Sequence, residues 1–198
     1  IRHVVQTGQF DFFCLTETWL DKNVFEHEIS IPGYCLERVD RQNRTGGGVA
    51  IYIREGIEYN IRNDLCINDV ECIFIEVPKI FMNVPILLSC MYRPPDKGSD
   101  YLNDMIDTLT KASSEEKELI LCGDLNFNYD LTLDLSSNPI KYIEDLFSLS
   151  QLITKPTRVT PTSSKTLDVI LPSLQSFYSH SDVVKLTLSD HYLCYTIL

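Results

Sequence analysis

Near the end of the chain, Ser189-Asp190-His191 sets a hydroxyl, a carboxylate and an imidazole side by side. Upstream, Gly123-Asp124-Leu125-Asn126 places a carboxylate and an amide directly after the apolar run Leu119-Ile120-Leu121-Cys122. Glu17 in Thr16-Glu17-Thr18-Trp19, Tyr92 in Met91-Tyr92-Arg93-Pro94-Pro95 and Asp168 in Thr166-Leu167-Asp168-Val169-Ile170 likewise end or interrupt hydrophobic runs. Polar groups gathered at the mouths of buried strands suit a metal-dependent phosphodiesterase. That reaction needs charge neutralisation at the phosphoryl oxygens, an activated water in line with the leaving oxygen, and help for the leaving group. Mg²⁺ meets the first and third needs with oxygen ligands, usually one or two of them protein carboxylates. Glu17, which terminates Phe12-Phe13-Cys14-Leu15, is the first choice of ligand. The alternative for it is a solvated turn acid or an N-cap before Trp19.

Asp124 and Asn126 lie two apart, so in extended chain they share a face while Leu125 turns into the core. Such a pair can hold a water and a phosphoryl oxygen together; the alternative is an Asx-turn after a strand. Asp190 and His191 are adjacent, so both enter one site only where the chain bends. Tyr92 follows Ile86-Leu87-Leu88-Ser89-Cys90-Met91, from which a phenol can reach from apolar walls to a phosphate oxygen. The other histidines, His3, His27 and His180, have no comparable context and read as surface residues. Trp19, Phe12, Phe13, Phe74 and Phe147 are assigned to the core, with base stacking as the alternative.

The elements that must position these groups follow from periodicity. Runs suited to strands occupy 11–16, 34–39, 48–54, 70–77, 84–91, 118–122, 167–171, 183–188 and 192–197, bounded by Gly, Pro, Asn or Asp. One helix follows Ser99 as N-cap, with Leu102, Met105, Ile106 and Leu109 on one face. A second starts at Asn138-Pro139 and stripes Ile140, Ile143, Leu146 and Phe147. Many strands with few helices predict two packed sheets with helices outside. Segment 126–138 reads as a polar, mobile loop. Asn43-Arg44-Thr45-Gly46-Gly47-Gly48 reads as a turn rather than a phosphate nest, because a strand follows it and not a helix.

The order Glu, Tyr, Asp-x-Asn, Asp, Ser-Asp-His resembles the endonuclease/exonuclease/phosphatase superfamily. The wording Thr-Glu-Thr-Trp-Leu, Gly-Gly-Gly-Val-Ala-Ile-Tyr, Tyr-Arg-Pro-Pro and Gly-Asp-Leu-Asn-Phe-Asn is most similar to the endonuclease domain of LINE-type retrotransposons. The resemblance implies an α+β fold, the four-layer αββα sandwich, as a single domain over residues 1–198. It implies a Mg²⁺ enzyme, with Mn²⁺ able to substitute, that nicks DNA to leave a 3′-hydroxyl priming reverse transcription. It further implies fusion to a reverse transcriptase, and a protein made in the cytoplasm and acting in the nucleus. By the same resemblance Glu17 and Asp190 serve the metal. Asp124 is base or water-orienter, Asn126 a neutral donor, and His191 contacts the phosphate or activates water while Asp168 orients it. A His held by a carboxylate keeps one tautomer and favours the imidazolium. Thr157 matches a threonine near the DNA backbone, its alternative being an ordinary loop residue, and Arg93 and Ser189 are assigned to substrate. The family also carries an asparagine on a strand ahead of the Glu motif, which nothing before Glu17 supplies. The chain is therefore expected to lack a first strand, and as cut to be weakly active and prone to aggregate. Two rivals remain: a phosphatase acting on inositol phosphates or lipid headgroups, and an inactive remnant kept as a binding module.

Composition bounds these readings. The chain has 198 residues, 44% of them hydrophobic, enough for a sizeable core. No run of about 18 apolar residues offers a membrane span. The start, Ile1-Arg2-His3-Val4-Val5, lacks the pattern of a signal peptide and reads as a cut inside a longer polypeptide. Seven cysteines without C-x-x-C spacing, five of them (Cys14, Cys72, Cys90, Cys122, Cys194) in apolar runs, read as buried reduced thiols. The net charge of −11 opposes non-specific DNA affinity, which comes mostly from Lys and Arg. Bound metal would neutralise several acids, and Arg38, Arg41, Arg44, Arg93, Lys155, Arg158 and Lys165 form a local basic rim in sequence.

Overall fold

A computed structural model describes residues 1–42, 45–67, 70–79 and 83–198; Arg44 and part of the predicted glycine turn lie outside these. The larger sheet has the order β10-β7-β6-β5-β4, built from β4 (Asn60–Ile61), β5 (Glu71–Val77), β6 (Ile86–Tyr92), β7 (Glu118–Asp124) and β10 (Asp168–Pro172). Its neighbours run antiparallel except β6 and β7. A parallel pair needs a crossover, and helix α3 (Ser99–Ser113) supplies it. The crossover brings the C-terminal ends of β6 and β7, Tyr92 and Asp124, to the same edge of the sheet. Antiparallel pairing then sets Asp168 opposite Asp124 and Glu71 opposite Tyr92. One edge of one sheet thus carries Glu71, Tyr92, Asp124 and Asp168 in a row.

The second sheet has the order β1-β3-β2, from β1 (Phe12–Thr16), β2 (Tyr34–Val39) and β3 (Val49–Arg54). Two hairpins complete the strands: β8 (Arg158–Thr160) with β9 (Ser163–Lys165), and β11 (His180–Val184) with β12 (Leu193–Ile197). Alternation along β3 sends Val49, Ile51 and Ile53 against Ile73, Ile75, Leu88 and Ile170 of the larger sheet, making the inter-sheet core. Tyr52 points the other way, with Phe13, toward Val5 of helix α1 (Arg2–Gly8) and Ile31, which follows helix α2 (Glu26–Ile29). On the far face of the larger sheet, Phe74, Leu87 and Leu121 pack on Met105 and Leu109 of α3 and on Ile140 and Ile143 of α4 (Pro139–Phe147). The layers are helix, sheet, sheet, helix, as the sequence predicted.

Most predicted elements recur with ends moved by one or two residues. Asn138 caps α4, its side chain accepting from the Ile140 and Lys141 amides, with Pro139 in the first turn. Helix α3 begins at Ser99, so its cap position falls on Gly98 and not on Ser99. Leu146 is exposed and leaves the apolar stripe of α4. The strand expected at 183–188 is β11 at His180–Val184, because its partners are Leu193–Ile197 and the register carries it back to His180. Trp19 is not in the core: it is 64% exposed. Phe13 and Phe74 are buried, and Phe12 and Phe147 half-buried. All seven cysteines are free thiols, with Cys35 exposed. Among the described residues no helix is long and apolar enough to cross a membrane.

Candidate active site

Asp124 is the most buried of the acids at this edge, 4% exposed, and the backbone before it explains its position. Gly123 has φ +137, and a Cβ there would stand 1.9 Å from the Met91 carbonyl oxygen, so no other residue lets β7 run this close to β6 at its last step. The chain then turns. The Asn126 amide donates to Asp124 Oδ1 at 2.9 Å, and Asn126 itself is left-handed at φ 52. Asp124 and Asn126 are therefore brought together by an Asx-turn, not by the alternation of an extended strand. The Asn126 side-chain nitrogen donates to the Arg93 carbonyl at 2.9 Å and lies 3.3 Å from Asp124 Oδ2, so this amide braces the turn and its donors are engaged within the protein.

His191 lies between two carboxylates. Its Nδ1 is 2.9 Å from Asp168 Oδ2, and its Nε2 is 3.9 Å from Asp124 Oδ2. The three residues offer one ligand atom each within 4.8 Å of one another. Burial lowers the affinity of the imidazole for a proton, but the Asp168 hydrogen bond and the charges of Asp168, Asp124 and Asp190 outweigh it, so the pKa is raised. Asp124 is pushed up to about 7, by burial first and then by Asp168 and, less, Glu17; the Asn126 amide and His191 act the other way. Ser189 fixes the bend before the histidine: its hydroxyl oxygen accepts from the His191 amide at 3.0 Å and its hydroxyl donates to the His191 carbonyl.

Glu17 follows β1 in left-handed backbone, φ 52, and is exposed. The Tyr92 hydroxyl donates to Glu17 Oε1. Tyr92 is only 2% exposed, so it holds the Glu17 carboxylate instead of projecting into open space toward a phosphate. Burial and then the Glu17 carboxylate raise the Tyr92 pKa, keeping it a donor.

Three residues take places other than those expected. Thr157 is fully buried; its hydroxyl oxygen accepts from the Leu167 and Asp168 amides at 3.0 and 3.1 Å, so it cannot touch a nucleic-acid backbone and instead sets the start of β10. Arg93 is 7% exposed, with its guanidinium over the Phe127 ring and donating to the Lys97 carbonyl. Asp190 accepts from Arg158 Nε at 2.7 Å at the exposed rim, outside the Asp124, Asp168 and His191 group, and this partner lowers its pKa. The basic rim is largely engaged in the same way: Arg38 with Asp40, Arg41 with Glu71 and Lys155 with Asp182. His3, His27 and His180 are exposed.

Sequence reasoning missed Glu71. It accepts Arg41 Nε and the Gly48 amide, each at 2.7 Å, and Arg41 lies over the Tyr92 ring at 5.6 Å. An acid at the start of a strand carries no signal of its own, and only the register opposite Tyr92 reveals it.

An oxygen-binding divalent cation fits this donor set. The exposed Glu17 carboxylate stands near buried Asp124, whose pKa is raised by burial first and then by the neighbouring acids, and a bound cation would offset both. The histidine is less suited to Mg²⁺, since Nδ1 is held by Asp168.

The fold is shared with solved structures of low sequence identity. The endonuclease domain of TRAS1, a telomere-specific non-LTR retrotransposon, superposes with TM-score 0.74 at 16% identity over 96% of this chain and 86% of that one. An AP endonuclease from Archaeoglobus fulgidus matches with TM-score 0.69 at 14% identity, over 100% and 92% of the two chains. A mannosyl-6-phosphatase of Bacteroides thetaiotaomicron matches with TM-score 0.66 at 14% identity, over 100% and 89%. No curated protein sequence matches the chain. The sequence model of one family does, across residues 1–191, and on that match the chain belongs to the endonuclease/exonuclease/phosphatase family.

Proposed function

We propose that the chain is the endonuclease domain of a retrotransposon polyprotein, a divalent-metal-dependent hydrolase that nicks chromosomal DNA and leaves a 3′-hydroxyl to prime a fused reverse transcriptase in the nucleus. The observation that carries the hydrolytic reading is the bracketing of His191 by Asp168 and Asp124, with Glu17 braced by Tyr92 beside them. Glu17 and Asp124 are the residues that would hold Mg²⁺. Bound there, Mg²⁺ supplies charge neutralisation at the phosphoryl oxygens and at the leaving oxygen.

The chain's own groups do the rest. Asp168 accepts the Nδ1 proton of His191 in a hydrogen bond, fixing the tautomer and favouring the imidazolium. Nε2 then presents a proton to a non-bridging phosphoryl oxygen. Asp124 orients the attacking water and accepts its proton. Thr157 and Ser189 keep Asp168 and His191 in place through backbone hydrogen bonds. DNA as substrate is supported by the likeness to a retrotransposon endonuclease and by the LINE-like motif wording. A second reading, a small phosphate ester as substrate, draws on the net charge of −11 and on the pairing of the rim cations with acids.

The test is conversion of supercoiled plasmid to open circles in Mg²⁺ and not in EDTA, with inositol polyphosphates in parallel. Nicking without phosphate release is the expected result. Faster phosphate release than nicking transfers the assignment to the phosphatase reading.

A further inference from the structure

Trp19 is the chain's one tryptophan and stands 64% exposed, two residues beyond Glu17. A large ring left in water forgoes burial that this core could have offered, and the local backbone shows that its position is specified. Its φ of 56 lies in the left-handed region, unusual for a bulky side chain. Two backbone hydrogen bonds hold it there, from the Trp19 amide to the Gly47 carbonyl at 3.0 Å and from the Thr18 amide to the Gly48 carbonyl at 3.3 Å. The indole lies beside Gly46, where a Cβ would stand 3.7 Å from the ring. Gly47 is pressed against the Arg41 guanidinium, 2.2 Å from where its Cβ would be, and the Gly48 amide is held by Glu71. Arg41 in turn lies over Tyr92, whose hydroxyl holds Glu17. The exposed indole is therefore built onto the same frame that positions the proposed metal ligand.

A flat, neutral, rigid aromatic surface beside a phosphodiesterase site recognises another π-face. Inorganic phosphate and inositol phosphates have none; a nucleobase does, provided that its own neighbour in the strand does not cover it. Resting on the DNA reading above, the geometry points to Trp19 as a stacking platform for a nucleobase adjoining the scissile phosphate, with preference for DNA whose bases there are unstacked.

Because the chain has a single tryptophan, its fluorescence reports this contact directly. A short single-stranded oligonucleotide titrated in EDTA should quench the emission, and inorganic phosphate or inositol hexakisphosphate should not. Trp19→Ala should bind the labelled oligonucleotide roughly 5- to 100-fold more weakly, the scale for losing one stacked base, and Trp19→Phe should recover most of that loss. In Mg²⁺, wild type should nick a plasmid carrying a mismatch bubble faster than a fully paired one, and Trp19→Ala should lose the difference. Unchanged oligonucleotide affinity and unchanged bubble preference in Trp19→Ala, with wild type nicking normally, overturn the platform and leave the DNA reading standing. Quenching and weakened Trp19→Ala binding without any nicking by wild type keep the platform and overturn the nuclease chemistry.

Discussion

The two ends of the larger sheet treat charge in opposite ways. At the end away from the cleft, Arg62 donates to Asp64, Glu76 and Glu115, and Lys117 donates to Glu76 and Glu115. Glu118, fully buried on β7, accepts hydroxyl hydrogen bonds from Ser173 and Tyr178 at 2.6 and 3.0 Å. Asp64, Glu76, Glu115 and Glu118 each have a donor, and the Glu115 carboxyl is held down to about 2, by the Arg62 hydrogen bond against burial, with Lys117 adding to it. At the cleft end β6 and β7 finish in Tyr92 and Asp124 and β10 begins at Asp168, with Glu17 across from them. Here burial first, and then the neighbouring acids Asp168 and Glu17, push Asp124 up to about 7. A fold selected for stability alone would give these acids lysine and arginine partners, as it does Glu76 and Glu115; here Glu17 takes the Tyr92 hydroxyl, and Asp124 and Asp168 share one imidazole. Their crowding is what a site that takes up a cation and a phosphate requires, so stability and function are separable along one sheet.

The largest expected effect lies at the cleft end. Asp124→Asn and His191→Ala should each lower nicking by roughly 10²-fold or more, about 2.7 kcal/mol on the barrier. Asp124→Asn should at the same time raise the thermal midpoint. The sign follows from linkage. The folded pKa of about 7 lies above the ordinary 3.8, so stability from this group is fully present below pH 3.8 and lost as pH rises through 7. The gain from Asp124→Asn should therefore be larger at pH 8 than at pH 5. A midpoint that falls equally at both pH values would show that Asp124 is structural and would dissolve the contrast between the ends.

At the far end the expectation reverses. Arg62→Ala leaves Glu76 and Glu115 with Lys117 as their remaining cation, and should cost about 2 kcal/mol in urea unfolding while nicking by the folded enzyme stays as in wild type. Glu115, with its pKa lowered, contributes stability above its ordinary 4.5 that is lost as pH falls toward 2. In the Arg62→Ala variant most of this Glu115 contribution is gone, so the fall in stability between pH 4.5 and 2 should be shallower than in wild type. Mg²⁺ then sharpens the comparison. It should raise the midpoint of wild type and of Arg62→Ala alike, by mass action on the folded state, and raise that of Glu17→Gln much less. Equal shifts in all three proteins would mean that the cation is bound somewhere other than the Glu17 edge.

Much of this architecture was legible in the sequence because buried strands carry strong apolar runs: the runs at 48–54, 70–77, 84–91 and 118–122 become β3 (Val49–Arg54), β5 (Glu71–Val77), β6 (Ile86–Tyr92) and β7 (Glu118–Asp124). Weakly buried elements were not. Helix α1 buries only Val5, the hairpin β8–β9 is three residues a side and polar, and β11 begins with His180-Ser181-Asp182. Residue types at the cleft could be chosen from their neighbours, but not their directions. Tyr92, Arg93 and Thr157 are near the site in chain and in space, yet their polar atoms serve Glu17, Lys97 and the amides of Leu167 and Asp168. Trp19 shows the same limit from the other side, since hydrophobicity says nothing about which way a left-handed turn presents a ring.

The smallest effect concerns an ion pair that looks like those of the far end and differs from them in exposure. Arg158 and Asp190 meet at 2.7 Å, but their side chains are 44% and 50% exposed, against 17% and 23% for Arg62 and Glu115. Water screens the outer pair, and holding two flexible side chains together offsets most of what remains, so Asp190→Asn should change the unfolding free energy by only about 0–0.5 kcal/mol. Raising the salt concentration should not separate the variant from wild type in stability. Activity gives a second, independent reading of the same residue. Loss of nicking with unchanged stability would place Asp190 in the reacting constellation once substrate and cation are bound, having left Arg158. Retained nicking would leave it as the tether of Arg158 at the rim. A stability loss as large as that of Arg62→Ala would contradict the argument from exposure, and with it the claim that the two ends of the sheet are built to different ends.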